Sequence, residues 1–433
     1  IYEAASIETR SNHYRPVFST VISLIYLFSR DNPIGFHLVQ IAIHIINASL
    51  LYYIFEFLLE KKTAFLLALI FLVHPINTEA VVSISAMQNI LFVSFGLLSI
   101  VLIIRDQKYL YKGLLSTLLL FSLLSKETGI LFFLIVPIFC YLYKRQFFTK
   151  SLQQSFIALI IYTFLRFFIA HIFFPQYPIV PIMTLPFFER VINIPKIIFF
   201  YLKTFIYPKH LLLYQSWIVE TLNLADFYLP LIIEGLLFFI FVIFIIKVKV
   251  RNNNLYKTLI FFSLWFITGL GLHIQIIPLD QTVADRFFYF PIIGLLGVIG
   301  IFANYFRINE QFKITHALIL IIVLVSLSTR VFIRNRDWKN PFSLYSHDII
   351  YNTDSYQLES GLGAEYAQKN EMDEAEEHYK NAVNLFPEKK TYLTLGTFYF
   401  SENNFEEAKN VLEKALLYGS NDPMTRLLLG VTQ

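Results

Sequence analysis

The chain has 433 residues, of which 56% are hydrophobic and 15% charged, with 46 phenylalanines. An ordinary soluble domain carries about 25% charged residues, so this composition excludes a soluble globular protein and points to a polytopic membrane protein. The formal charge of +4 forms no basic tract, which argues against a nucleic-acid partner, and the single cysteine, Cys140, excludes a disulfide framework and a cysteine metal site.

The first residue is Ile1, and no signal-peptide pattern follows it, so the chain reads as a fragment without its natural N-terminus. Crossing a ~30 Å hydrocarbon core takes about 20 apolar residues, fewer where neighbours shelter the ends. Such stretches are predicted at 35–59, 63–81, 88–104, 109–124, 128–143, 151–174, 228–247, 254–274, 287–306 and 314–333. Two further segments suit the membrane interface, although their residues leave crossing open. Val17–Phe28 is short and follows Pro16, and Val191–Tyr207 carries Lys196 and Lys203 within it.

Lysine and arginine set the expected orientation. One set of loops holds Lys61, Lys62, Arg105, Lys108, Lys144, Arg145, Lys150, Lys247, Lys249, Arg251, Lys257, Arg307 and Lys313. The alternate loops hold Lys126, Arg190, Lys209 and Arg286, plus Lys196 and Lys203 of the interfacial segment. The first set is therefore expected on the cytoplasmic side, which works along the whole chain only if 191–207 does not cross. Everything after Arg334 then lies in the periplasm or the lumen.

That last region carries a repeat. Leu362-Gly363 and Tyr366, then Ala375, Tyr379, Ala382 and Pro387, return as Leu395-Gly396 and Tyr399, then Ala408, Leu412 and Ala415, 33 residues later. Leu429-Gly430 opens a third copy. Small residues let paired helices approach closely while the aromatics fill the gaps between copies, which is the tetratricopeptide pattern. Such arrays bind proteins or peptides along a concave face. The expected fold class is all-α: a polytopic membrane helix bundle over 1–334, followed by extracytoplasmic tetratricopeptide hairpins over 335–433.

With this topology, polar residues gather at the extracytoplasmic ends of the spans: His13-Tyr14-Arg15, His74-Pro75 with Asn77 and Glu79, Gln88-Asn89, Lys126-Glu127 and Asp285-Arg286. Charges at membrane depth are costly and tend to be kept for pairing or function. Lys126 or Arg286 could hold a lipid phosphate, the arginine as a bidentate fork. Structural alternatives stand beside this: Asp285 and Arg286 can pair with another helix, Glu127 can neutralise a nearby cation, and His74 can satisfy a helix end. His37 and His44 read as bundle packing, and Arg330, Arg334 and Arg336 before Trp338 as an interfacial anchor. No spacing of His, Asp and Glu makes a metal site, and no cofactor is expected.

Together, Tyr14-Arg15-Pro16, Gly35-Phe36-His37-Leu38 with His44 and Asn47-Ala48, His74-Pro75-Ile76-Asn77-Thr78-Glu79-Ala80, Lys126-Glu127-Thr128-Gly129 and Val283–Pro291 resemble the transmembrane and tetratricopeptide repeat-containing O-mannosyltransferase-like family. The resemblance spans essentially the whole chain. It implies a C-type (GT-C) membrane glycosyltransferase that moves a sugar, for this family mannose, from a polyprenyl-phosphate donor to a protein Ser or Thr hydroxyl. On this reading Lys126, Arg286 and Arg15 hold the donor phosphate, and His13, His74, Glu79, Glu127 and Asp285 support them. The partners implied are the polyprenyl-phosphate-linked sugar, membrane lipid and a protein acceptor held by the repeats. The family's paired acidic motif follows its first span. Ile1–Ser11 contains Glu3 and Glu8 but no such pair, so the catalytic base is expected ahead of Ile1. The rival expectations are a repeat scaffold without enzymatic activity, a polysaccharide ligase or polymerase, and a transporter. The transporter reading lacks the mid-span charges and inverted repeats it would need.

Overall fold

A computed structural model describes residues 13–105, 113–173, 180–306, 313–418 and 423–432. Ile1–Ser11 with Glu3 and Glu8, the residues Lys108 and Arg307, and the side chain of Lys313 lie outside the described residues. All regular structure among the described residues is helical, apart from an isolated antiparallel bridge between Gln215 and Val283.

Helices stand at each of the ten expected spans, but their lengths differ more than the apolar pattern predicts. Among the described residues, five are long and apolar enough to cross a membrane: Pro33–Leu58, Ile84–Ile104, Arg145–Ile169, Leu224–Arg251 and Ala317–Asp337. A sixth arises if Lys61–Val73 and Pro75–Val82, bent by 49°, count as one span. Leu114–Ser125 and Pro291–Tyr305 are shorter, as is the Glu127–Tyr143 unit. The chain is a multi-pass membrane protein. Two of the spans are apolar and largely open: only 11% of the Leu224–Arg251 window and 6% of the Ala317–Asp337 window are buried among the described residues, a surface suited to lipid. Ile194–Ile206 has 13 residues, about 20 Å of helix, and cannot cross a ~30 Å core alone.

The breaks in the helices have local causes. Proline disfavours helical backbone in the residue before it, so His74 is extended and the helix ends at Val73. Lys126 is likewise extended (φ −159°, ψ 144°) between Leu114–Ser125 and the 3₁₀ turn Glu127–Leu131. Gly129 lets that turn fold back: a Cβ there would lie 2.6 Å from the carbonyl of Ser122. Below these breaks sits an aromatic core. Phe132, Trp265 and Phe290 pack with centroids 5.2–5.7 Å apart, and the Trp265 indole donates to the Phe290 carbonyl at 3.1 Å. His44 belongs to this interior, bonded to the Tyr289 hydroxyl at 2.8 Å, which Asn47 also reaches at 3.1 Å.

After the helix Lys313–Asp337 the chain continues as short helices: Pro341–Ile349, Tyr356–Gln368, Met372–Leu385, Lys389–Ser401, Phe405–Leu417 and Pro423–Thr432. They pair at the positions the repeat predicts. A Cβ on Gly363 would meet the Tyr379 ring at 2.9 Å, and one on Gly396 would meet Leu412 at 2.7 Å. Tyr379 and Phe398 join the two pairs with ring centroids 5.2 Å apart.

Candidate functional site

The helix breaks place four short polar stretches at the end of the bundle that carries the repeats. Gln88-Asn89 opens the helix Met87–Ile104, and its neighbouring side chains hold two different cations. The Gln88 amide oxygen accepts from Arg15, and the Asn89 amide oxygen accepts from the Lys126 ammonium at 2.6 Å. Phe287 then links Lys126 to the last segment: the Lys126 nitrogen lies 5.4 Å and the Arg286 guanidinium 5.1 Å from its ring centre. A cation over a desolvated ring gains on the order of 2 kcal/mol, so the ring offsets part of the burial cost of both. The three cations predicted from sequence thus lie around one aromatic ring and one helix start.

Their counter-charges are unequal. Glu127 receives the Arg15 guanidinium at 2.8 Å and the Arg166 guanidinium at 3.3 Å, with His13 at 3.6 Å. Glu79 takes both the backbone N–H (2.9 Å) and the guanidinium of Arg286, and Asp280 stands 3.8 Å from the same guanidinium. Among the described residues, no carboxylate lies within ion-pair distance of Lys126, whose side chain is 7% exposed. Burial, reinforced by the positive charges of Arg15 and Arg286, pushes the Lys126 ammonium down to about 7. On this side of the site Arg15 and Arg166 share the carboxylate of Glu127, and Lys126 stands beside them on the neutral Asn89 amide. Such an arrangement favours an anion.

Asp285 is 3% exposed, and its Oδ1 has no hydrogen-bond partner within the protein. Burial first, then repulsion from Glu79, pushes its carboxyl well above the ordinary aspartate value. His74 stands apart from the cations. Its Nδ1 accepts from the Ile76 N–H at 3.2 Å, its Nε2 bonds the Phe205 carbonyl at 3.0 Å, and its ring stacks on Phe205. It closes the broken helix and docks it on Ile194–Ile206.

Sequence reasoning passed over Arg166. It is a lone charge in an apolar run, the kind of residue that is expensive in a membrane and seldom idle. The chain widens there into a π-helical turn, Phe164–Ile169, which carries Arg166 inward. Its guanidinium bonds the Tyr162 hydroxyl at 2.7 Å as well as Glu127. Among the described residues no group of three His, Cys, Asp or Glu side chains could hold a metal ion.

The tetratricopeptide repeat family matches residues 361–389 and 390–418. A protein O-mannosyl-transferase of Caenorhabditis elegans is 25% identical over 409 residues, covering 88% of this chain and 55% of the relative. The protein O-mannosyl-transferase TMTC3 of Homo sapiens is 22% identical over 456 residues, covering 95% of this chain and 49% of the relative. The chain spans about half the length of these curated relatives. No solved structure matches it.

Proposed function

From the homology of this chain to the transmembrane and tetratricopeptide-repeat O-mannosyl-transferases, we propose that the intact protein moves mannose from a polyprenyl-phosphate donor to a Ser or Thr hydroxyl of a protein, on the extracytoplasmic face. The membrane block, 1–334, binds the donor, and the repeat region, 335–433, holds the acceptor. The observation that carries the proposal is the gathering of Lys126, held by Asn89 and Phe287, beside Arg15 and Arg166, which share Glu127.

The chemistry asks for such a site. A hydroxyl attacking the anomeric carbon gives up its proton to a carboxylate. The leaving polyprenyl phosphate departs with its negative charge, and fixed cations around it stabilise the transition state more than the ground state. Lys126 meets the phosphate as a point charge, and Arg15, held in place by Glu127 and Gln88, adds its positive charge beside it. Arg286, already matched by Glu79 and Asp280, supports the rim.

The test uses the full-length protein in proteoliposomes with polyprenyl-phosphate-mannose and a Ser/Thr-rich polypeptide. Wild type transfers mannose, and Lys126→Ala or Arg15→Ala lowers kcat/KM about 10²-fold, the effect of removing one transition-state charge contact. A protein that recruits polypeptide but never consumes donor is the scaffold instead, and the proposal fails.

A further inference from the structure

Between Ile206 and Leu224 the chain has no helix of its own, and the stretch 211–219 lies between the bundle and the repeats. One edge of it grips the bundle. The Gln215 carbonyl accepts the N–H groups of Thr282 (3.1 Å) and Val283 (3.3 Å), just before Asp285 and Arg286. The Val219 N–H donates to the Asn193 side chain at 2.6 Å. The other edge grips the repeat region. The Leu213 N–H donates to Asp348 Oδ2 at 2.8 Å, the Tyr214 carbonyl accepts from Asn352 at 2.5 Å, and the Ser216 hydroxyl donates to Gln357 at 2.9 Å.

Asp348 is the centre of this joint. It is fully buried, and the Arg334 guanidinium, 2% exposed, takes both of its oxygens at 2.7 and 3.0 Å. A buried carboxylate in a bidentate fork tolerates little movement, and Asp337, 3.2 Å from the same guanidinium, and His347, 2.8 Å from Asp348, complete the joint. Arg334 sits on the last turn of Lys313–Asp337, and Asp348 near the end of Pro341–Ile349. One ion pair therefore ties the last apolar helix, the first repeat-region helix and the 211–219 stretch together. The reading of Arg334 as an interfacial anchor gives way here: it points into protein.

We propose that the Arg334–Asp348 pair is a latch that seats the repeats on the 211–219 stretch, so that an acceptor carried by the repeats is presented in fixed register to the donor site. This makes Asp348 a positioning residue for the choice of acceptor hydroxyl, and it rests on the reading of the cation cluster as the donor site. A tether without the latch would keep the acceptor close but not in register.

The experiment gives the full-length protein a flexible C-terminal tail with threonine at every tenth position and supplies polyprenyl-phosphate-mannose in proteoliposomes. In wild type the label falls on a narrow set of threonines. In Asp348→Asn and in Arg334→Lys, which keeps the charge but loses the fork, it spreads over at least about twice as many positions, with donor KM within about twofold of wild type. Oxidative cross-linking of Ser216→Cys with Gln357→Cys, placed in the Asp348→Asn background, restores the narrow set. An unchanged label pattern in Asp348→Asn, or a cross-link that leaves the pattern broad, overturns the latch. If wild type consumes no donor, the functional reading fails and takes the positioning role with it. The latch as a contact is then still judged by cross-link yield, which falls in Asp348→Asn if the pair holds the joint.

Discussion

Lys126 shows how much a single side chain gains from its surroundings. Its ordinary value is 10.5, and burial with two neighbouring cations brings it to about 7. The sign follows from linkage: the fold prefers the neutral amine, so stability rises with pH between about 7 and the unfolded lysine value, and the charged form is a burden below that. An anion at the site reverses the preference and draws a proton in. Donor affinity should therefore fall as pH rises above about 7, approaching tenfold per unit for one linked proton. The donor's phosphodiester keeps its charge across this range, so it adds no slope of its own. Titrating a non-transferable donor analogue from pH 6 to 9 checks this. Lys126→Arg should flatten the profile, and an identical slope in both proteins would remove Lys126 from the site. The sequence made this residue visible, as a charge interrupting two apolar runs. It could not reveal that Asn89, a neutral group 37 positions earlier, would be its hydrogen-bond acceptor.

At the scale of elements, the apolar pattern located the spans well and their ends poorly. Hydropathy records that a stretch prefers lipid. It says little about where a proline, an extended lysine or a 3₁₀ turn stops the helix, and those stops are what build the site. The π turn at Phe164–Ile169 is the clearest case, because no motif announces it, yet it decides which way Arg166 faces. Arg166 shares Glu127 with Arg15, and Glu127 is 30% exposed, so its loss should cost less than breaking an isolated buried pair. Arg166→Ala is expected to destabilise the protein by roughly 1–3 kcal/mol, below the 3–5 of a fully buried pair, because solvent and Arg15 still screen the carboxylate. Thermal unfolding in nanodiscs measures it. A fall of only a degree or less would mean that the π turn is held by packing alone and Arg166 contributes little to it.

For the whole molecule, the joint at Arg334–Asp348 places the repeats and the cation cluster at one end of the bundle, whichever way the protein sits in its membrane. The distribution of lysine and arginine is the separate argument for which side that end faces. The two arguments draw on different forces, one on contacts within the fold and the other on the orientation bias of short basic loops. They meet in one observable. Glu402 lies exposed in a turn of the repeats, and Asn253 is exposed at the start of the helix Asn253–Gly271, among the basic loops. Cys140 is fully buried and gives little background thiol reactivity. With a membrane-impermeant maleimide applied to intact cells or sealed vesicles, Glu402→Cys should react only from the extracytoplasmic side and Asn253→Cys only from the cytoplasmic side. The reverse pattern would put the cation cluster in the cytoplasmic leaflet and exclude a donor that arrives from the outer one. Reaction of both from one side would mean that an odd number of the apolar helices between them fails to cross, and the helix Pro291–Tyr305, with only 15 residues, would be the first to reassign.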